Sequence, residues 1–297
     1  MRFDPRQPPV IFGEALFDCF PDGERVLGGA PFNVAWHLAA FGAAPVFVSR
    51  VGTDELGDAI ERAMADEGMS RVGLQRDPEH PTGTVQVALA QGEPTYDIVP
   101  DRAYDHVDAA ALPDLPPGSL LYHGSLALRN AATEQALRTL RERIDPAVFL
   151  DVNLRDPWWD EATLHRLLAG ATWVKLNADE LQLLAPAGVD VETRAQALLD
   201  AYDLQLVIAT LGAQGALALG AGGERGRVAP DADVTVVDAV GAGDGFASVL
   251  ILSLLQGWPL ELGLTRAQTF ASAMVGRRGA TVRDAGFYAA FAERWGL

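Results

Sequence analysis

The chain has 297 residues, 49% of them hydrophobic, and a formal net charge of −17. That length can bury a large core as one α/β domain, while the acidic balance argues against a general nucleic-acid or anionic-membrane binder. Cys19 is the only cysteine, which excludes an intrachain disulfide and a thiolate metal cluster.

Residues 1–9 hold charges and prolines and lack the apolar core of a signal peptide. No apolar run approaches the length of a membrane span, so the expected location is the cytoplasm. Among the 23 basic residues Lys175 is the sole lysine, and Leu176 follows it. A Walker A loop, which needs Lys followed by Ser or Thr, is therefore excluded, and so is the protein-kinase set. Any phosphate handling would rest on backbone amides, arginines and Mg²⁺. A Schiff-base role for Lys175 has no supporting feature.

In chain order, strand-like and helix-like segments alternate, which predicts a mostly parallel sheet with helices on both faces. Strands are expected at 9–13, 45–50, 120–124, 148–152, 173–176 and 206–210. Helices are expected at 31–41, 54–67, 131–143 and 191–201. Residues 15–20 and 84–90 alternate in the strand manner, and 95–99 can pair with the latter across the turn at Gly92 to Pro94. They read either as a small β-layer built from two insertions, approximately 14–30 and 82–106, or as ordinary edge strands. As a layer they would form a lid over a site at the sheet edge. The whole chain, 1–297, reads as one domain. Residues 234–238 read as a β-branched strand. A glycine turn and an apolar helix from Phe246 to Leu255 follow, and the chain looks helical to its end.

That turn, Gly241-Ala242-Gly243-Asp244-Gly245, is the most informative segment. Its glycines allow the first helix amides to point at an anion. Asp244 among those amides would repel a bound phosphate. It is explained if the acid takes a proton from a nucleophile while the amides hold charge developing on a transferring phosphoryl group. Alternatively it is a cap or a dipole partner. A dinucleotide fingerprint fails at Phe246 and lacks the following strand. Earlier stands Gly28-Gly29-Ala30-Pro31-Phe32-Asn33, where glycines permit close approach of a polyol and Asn33 can both donate and accept. By itself it also fits a helix start with Pro31 in the first turn.

Together, in this order and spacing, the two segments resemble the signatures of the PfkB (ribokinase-like) family of carbohydrate kinases, over the whole chain. The resemblance implies a three-layer α/β/α fold with an inserted β-lid and ATP-dependent phosphorylation of a sugar hydroxyl. It implies Asp244 as general base and the amides of Gly241, Ala242 and Gly243 as an anion hole. Asn177 and Glu180 match an Asn-x-x-Glu motif that acts near Mg²⁺ and the phosphates, although they also spell a capping box. Thr210, Gly212 and Gly215 match a nucleotide loop, or a plain strand–turn–strand. For the sugar it implies Asp18, Gly28, Gly29 and Asn33, with Arg155 from the Asp151-Val152-Asn153-Leu154-Arg155 stretch of fructokinase-like members; a surface salt bridge is the other reading of Arg155. Asp238 is implied near a monovalent cation such as K⁺, or as a strand-end cap.

Ala239 and Val249 depart from the family pattern, and the first weakens the cation reading. The partners implied are a sugar and ATP, with a second copy through the lid as a homodimer. Fructose leads. Ribose, 2-keto-3-deoxygluconate, tagatose phosphate and a nucleoside stay open as acceptors, as does a non-catalytic sugar-responsive regulator on the same scaffold; a nucleotide-dependent oxidoreductase comes third. His37, His80, His106, His123 and His165 show no ligand spacing, so no transition-metal site is expected; His123, at a strand end, could lie near the pocket.

Overall fold

Central strands with apolar side chains on both faces must be covered on both sides, and the chain alternates accordingly. The computed structural model describes residues 3–90, 93–185, 187–230 and 236–297. Strands β1 (Val10–Phe12), β2 (Leu16–Cys19) and β3 (Arg25–Gly28) lead into helix α1 (Ala30–Ala40). Then come β4 (Val46–Gly52), α2 (Glu55–Asp66), β5 (Leu74–Asp77), β6 (Gly83–Ala90) and β7 (Glu93–Ile98). The middle of the chain supplies β8 (Leu120–His123), α3 (Ala131–Ile144), β9 (Ala147–Asp151), α4 (Glu161–Ala169), β10 (Trp173–Asn177), α5 (Ala178–Leu184) and α6 (Val191–Ala201). Strands β11 (Leu206–Thr210), β12 (Ala216–Gly220) and β13 (Arg225–Val228) precede α7 (Ala242–Gln256), α8 (Leu260–Val275) and α9 (Ala285–Trp295).

Nine strands form the main sheet in the order β13-β12-β11-β10-β9-β8-β1-β4-β5. From β11 to β5 all neighbours are parallel; β12 and β13 turn back antiparallel at one edge. Alternation sorts the core into two. Ile11, Phe47, Tyr122, Phe149 and Ile208 face one side, among residues of α1, α7, α8 and α9. Val10, Val48, Leu121, Leu150 and Val207 face the other, with α3, α4 and α6. This is the expected three-layer α/β/α arrangement. A second sheet of four strands, β3-β2-β6-β7, gathers the two early alternating stretches. Strands β2 and β6 are parallel, and β3 and β7 flank them antiparallel. Leu16, Val85 and Ile98 of this sheet pack on Tyr104, Leu126 and Ala127.

Three expectations need correction. Residues 236–238 are not a strand: the amides of Val237 and Asp238 both go to the Val275 carbonyl, while 234–235 lie outside the described residues. Helix α7 starts at Ala242, ahead of the expected Phe246, because Gly243 and Gly245 are accepted inside it. Strands β3, β5 and β13 were not foreseen, and each closes a sheet edge; β12 fulfils the strand–turn–strand alternative for Thr210 to Gly215.

Helix starts divide by chemistry. Six are capped by an Asp or Asn side chain accepting a first-turn amide: α2 by Asp54, α3 by Asn130, α4 by Asp160, α5 by Asn177, α6 by Asp190 and α9 by Asp284. By contrast, α1 and α7 begin on glycines at positive φ, Gly29 at 104° and Gly241 at 78°, with no side-chain cap. A Cβ on Gly29 would stand 2.6 Å from the Glu14 carbonyl oxygen. Gly29→Ala should therefore lose more than ~1 kcal/mol of stability in urea unfolding; an unchanged midpoint would show that this turn is not constrained.

Candidate active site

The two glycine-started helices face each other. Asn33, in the first turn of α1, donates from Nδ2 to Asp244 Oδ2 at 2.7 Å across a sequence separation of 211 residues. The support behind this contact is buried. Trp36 Nε1 donates to the Val282 carbonyl at 3.1 Å, and His37 bridges the Tyr288 hydroxyl at 2.9 Å and the Ala280 carbonyl at 3.0 Å. Ala280 in turn backs Gly241, where a Cβ would lie 2.4 Å from the Ala280 Cα. Burial pushes the His37 imidazole down to about 4, so it acts as a neutral strut.

Asp244 is half-buried. Its carboxyl is pushed up to about 6, chiefly by burial and further by the charge of Asp151; the Asn33 donor, Lys175 and Arg155 pull the other way. Beneath the loop, Lys175 Nζ holds both oxygens of the buried Asp151 at 2.9 and 2.8 Å, and the Tyr122 hydroxyl donates to Asp151 at 3.3 Å. A Cβ on Gly243 would be 3.7 Å from Lys175 Nζ. The sole lysine thus lies against the glycine turn, a placement the sequence reading, which named amides, arginines and Mg²⁺ for phosphate handling, did not foresee. Of the amides assigned to the anion hole, that of Ala242 is turned to the Ala239 carbonyl at 3.4 Å. The assigned amide of Gly243, and with it the amide of Asp244, which was not assigned, falls in the first turn, where a helix has no carbonyl to receive it.

On the side of the second sheet, Asp18 of β2 pairs with Val26 of β3, and its Oδ2 lies 3.9 Å from where a Cβ on Gly28 would stand. Burial raises the Asp18 carboxyl, opposed by the Arg155 charge. Arg155 also favours the ionised form of Glu14 and of Asp244 through its charge, while its exposed guanidinium donates to the Leu154 carbonyl at 3.0 Å.

On the other side, Asn177 and Thr210 end β10 and β11 in register. Asn177 and Glu180 form a capping box, and both Glu180 oxygens accept amides, from Asn177 and from Leu154, each at 2.8 Å. Gly212 and Gly215 take positive φ in a strand–turn–strand. Thr210, Gly212, Gly215, Ala242, Gly243 and Phe246 line a largely apolar cleft of about 670 Å³ that runs to α8. Asp238 accepts the amides of Val240 at 2.9 Å and Gly279 at 3.1 Å, bracing the turn before α7; with no strand at 236–238, it is not a strand-end cap.

Two features escaped the sequence reading. Glu14, 4% exposed, has its Oε2 unpartnered, and burial pushes it up to about 7 despite the pull of Arg155. An acid directly after the apolar run of β1 was the available signal. The structure also brings His80, Asp101 and His106 together, although their spacing gave no hint. His123 is fully buried with Nδ1 on its neighbour's carbonyl.

A mostly parallel sheet whose strand ends carry these groups is the fold of known sugar kinases. The crystal structure of fructokinase from Vibrio cholerae O395, in fructose-, ADP- and calcium-bound form, superposes with a TM-score of 0.81 over 97% of this chain and 99% of that one, at 27% identity. Aminoimidazole riboside kinase from Salmonella enterica, complexed with aminoimidazole riboside and an ATP analog, gives 0.82 over 95% and 98%, at 26% identity. In sequence, fructokinase of Escherichia coli is 32% identical over 260 residues, 82% of this chain and 83% of that protein. Residues 19–284 match the pfkB family carbohydrate kinases, and the chain belongs to that family. Among the described residues no helix is long and apolar enough to cross a membrane.

Because the Asn33 donor favours the ionised form of Asp244, Asn33→Ala should move the Asp244 pKa upward from about 6. Carbon-13 NMR of the side-chain carboxyl measures this; a fall or no change would mean the contact does not tune the acid.

Proposed function

We propose that this carbohydrate kinase transfers the γ-phosphoryl group of ATP to a hydroxyl of a hexose, fructose first among the candidates. The observation that carries the proposal is the Asn33–Asp244 contact: an acid tuned to about 6, placed between the glycine-started helices and beside open amides. A base is most effective when its pKa lies near the working pH. Asp244 would take the proton of the attacking hydroxyl. The amides of Gly243 and Asp244 would hold charge on the transferring group, with Lys175 and the α7 dipole behind them. Asp18, Asn33 and Arg155 would grip the other hydroxyls, with Gly28 and Gly29 giving room for close approach.

The nucleotide would lie along the cleft from Thr210, Gly212 and Gly215 to Gly243, its base against the apolar wall near Phe246, Ala271 and Val275. The site suits Mg²⁺ held through water: the Glu180 oxygens already carry one amide each, which leaves them able to accept from a hydrated ion rather than to replace its shell. When bound, Mg²⁺ neutralises the phosphates. Asn177 and Glu180 would orient that water shell, and Asp238 would reach a K⁺ only while still accepting the amides of Val240 and Gly279. The second sheet is proposed as a lid that excludes water from the sugar, and its outer strands β3 and β7 as the edges through which a homodimer would form. The relatives named above, a fructokinase and a riboside kinase, support both a hexose and a nucleoside-like acceptor; Arg155 within the Asp151–Arg155 stretch favours the hexose.

An ATP-consumption assay over ketohexoses, ribose, 2-keto-3-deoxygluconate and nucleosides should give its highest kcat/KM with fructose. With that substrate kcat/KM should be level above neutrality and fall as pH drops through about 6, because the protonated Asp244 cannot accept a proton. A profile flat from pH 5 to 8 would contradict Asp244 as base. Sugar binding without turnover of any acceptor would favour the regulator reading.

A further inference from the structure

The chain entering the second sheet and the chain leaving it meet at three side chains. His80 precedes β6, while Asp101 and His106 follow β7. Asp101 Oδ1 lies 2.7 Å from His106 Nε2 and 3.8 Å from His80 Nε2, and the three donor atoms all fall within 4.8 Å of one another. The two imidazole rings stack with centroids 3.6 Å apart. None of these groups has a part in the proposed phosphoryl transfer.

A second carboxylate stands behind the first histidine. Asp77, 1% exposed, accepts from His80 Nδ1 at 3.0 Å and is itself fixed by the amides of Glu79 and His80 and by Arg50. It keeps the proton on Nδ1 and leaves the Nε2 lone pair directed to Asp101 and His106, which is the outer-shell arrangement of a metal-bound histidine. Asp101 holds a left-handed backbone, φ 56°, with its side chain 72% exposed. Its carboxylate is 2.7 Å from His106 Nε2 and otherwise faces solvent.

We propose that His80, Asp101 and His106 form a site for a divalent transition ion of the zinc type, clamping together the two ends of the β6–β7 insertion. Two imidazoles and a carboxylate are a ligand set such ions take, with a fourth position for water. The positive charge of Arg102 also reaches Asp101. It disfavours hard ions held by charge alone and leaves the advantage to an ion that bonds imidazole nitrogen. Because Asp77 holds the His80 ring, a shared ion would require the His106 ring to turn out of the stack.

Untagged full-length protein, freed of metal and without nucleotide, is titrated with Zn²⁺ by calorimetry. One Zn²⁺ should bind per chain, and the melting temperature should rise with it. Asp101→Asn, which tolerates the left-handed backbone, and His106→Gln should each weaken binding at least ~10-fold, since even outer-shell changes cost that much. Both should lose the thermal shift, whereas His165→Gln on α4 should keep both properties. Absence of Zn²⁺ binding by the parent at micromolar concentration, or binding by Asp101→Asn and His106→Gln equal to the parent's, would overturn the site.

Discussion

The hydrogen bond from Asn33 to Asp244 is the constraint around which the rest of the molecule is arranged. It joins the first turns of α1 and α7, and neither helix spends a side chain on capping itself there. The joint needs glycine at both starts, because a Cβ at Gly29 would meet the Glu14 carbonyl and one at Gly241 would meet Ala280. It also needs the buried brace of Trp36, His37 and Tyr288, which fixes α1 against residues 280–282. Packing thus places one carboxylate, and burial then sets its proton affinity.

Around that carboxylate the charges are staged. Asp151 and Lys175 form a bidentate buried pair under the glycine turn. Pairs of this kind add little net stability, but losing one partner strands a charge at a cost of about 3–5 kcal/mol. Their use here is positional: a fixed ammonium close to Gly243 and a fixed anion that helps raise Asp244. Arg155 works from the solvent side on Glu14, Asp18 and Asp244. A strongly acidic chain can in this way hold local positive potential where an anionic substrate is proposed to bind.

The sheet was legible because six of its seven parallel strands, all but β5, are apolar runs bounded by turns, and β2 and β6 were legible from alternation alone. Less was visible at the edges. Strand β12, Ala216-Leu217-Ala218-Leu219-Gly220, is weakly marked, and β3 carries Arg25. The β-branched residues Val236 and Val237 misled: both side chains are exposed, and the amides of Val237 and Asp238 go to the end of α8, not to a neighbouring strand. Site residues in the two glycine segments were readable as residue types, but their contact depends on how two distant helices pack. The same holds for the support of His37 and for the meeting of His80 with His106. Val249, a departure from the family pattern, is simply buried in the core.

The central claim is that Asp244 is a proton acceptor rather than a structural cap, and Asp244→Asn tests it most directly. The amide keeps nearly the same shape and can still meet Asn33. Calorimetry should find sugar and nucleotide binding retained and the melting temperature close to the parent's, while kcat falls ~10²–10⁴-fold. A variant that turns over near the parent's rate would contradict the account. One that loses its fold would return Asp244 to the role of a cap.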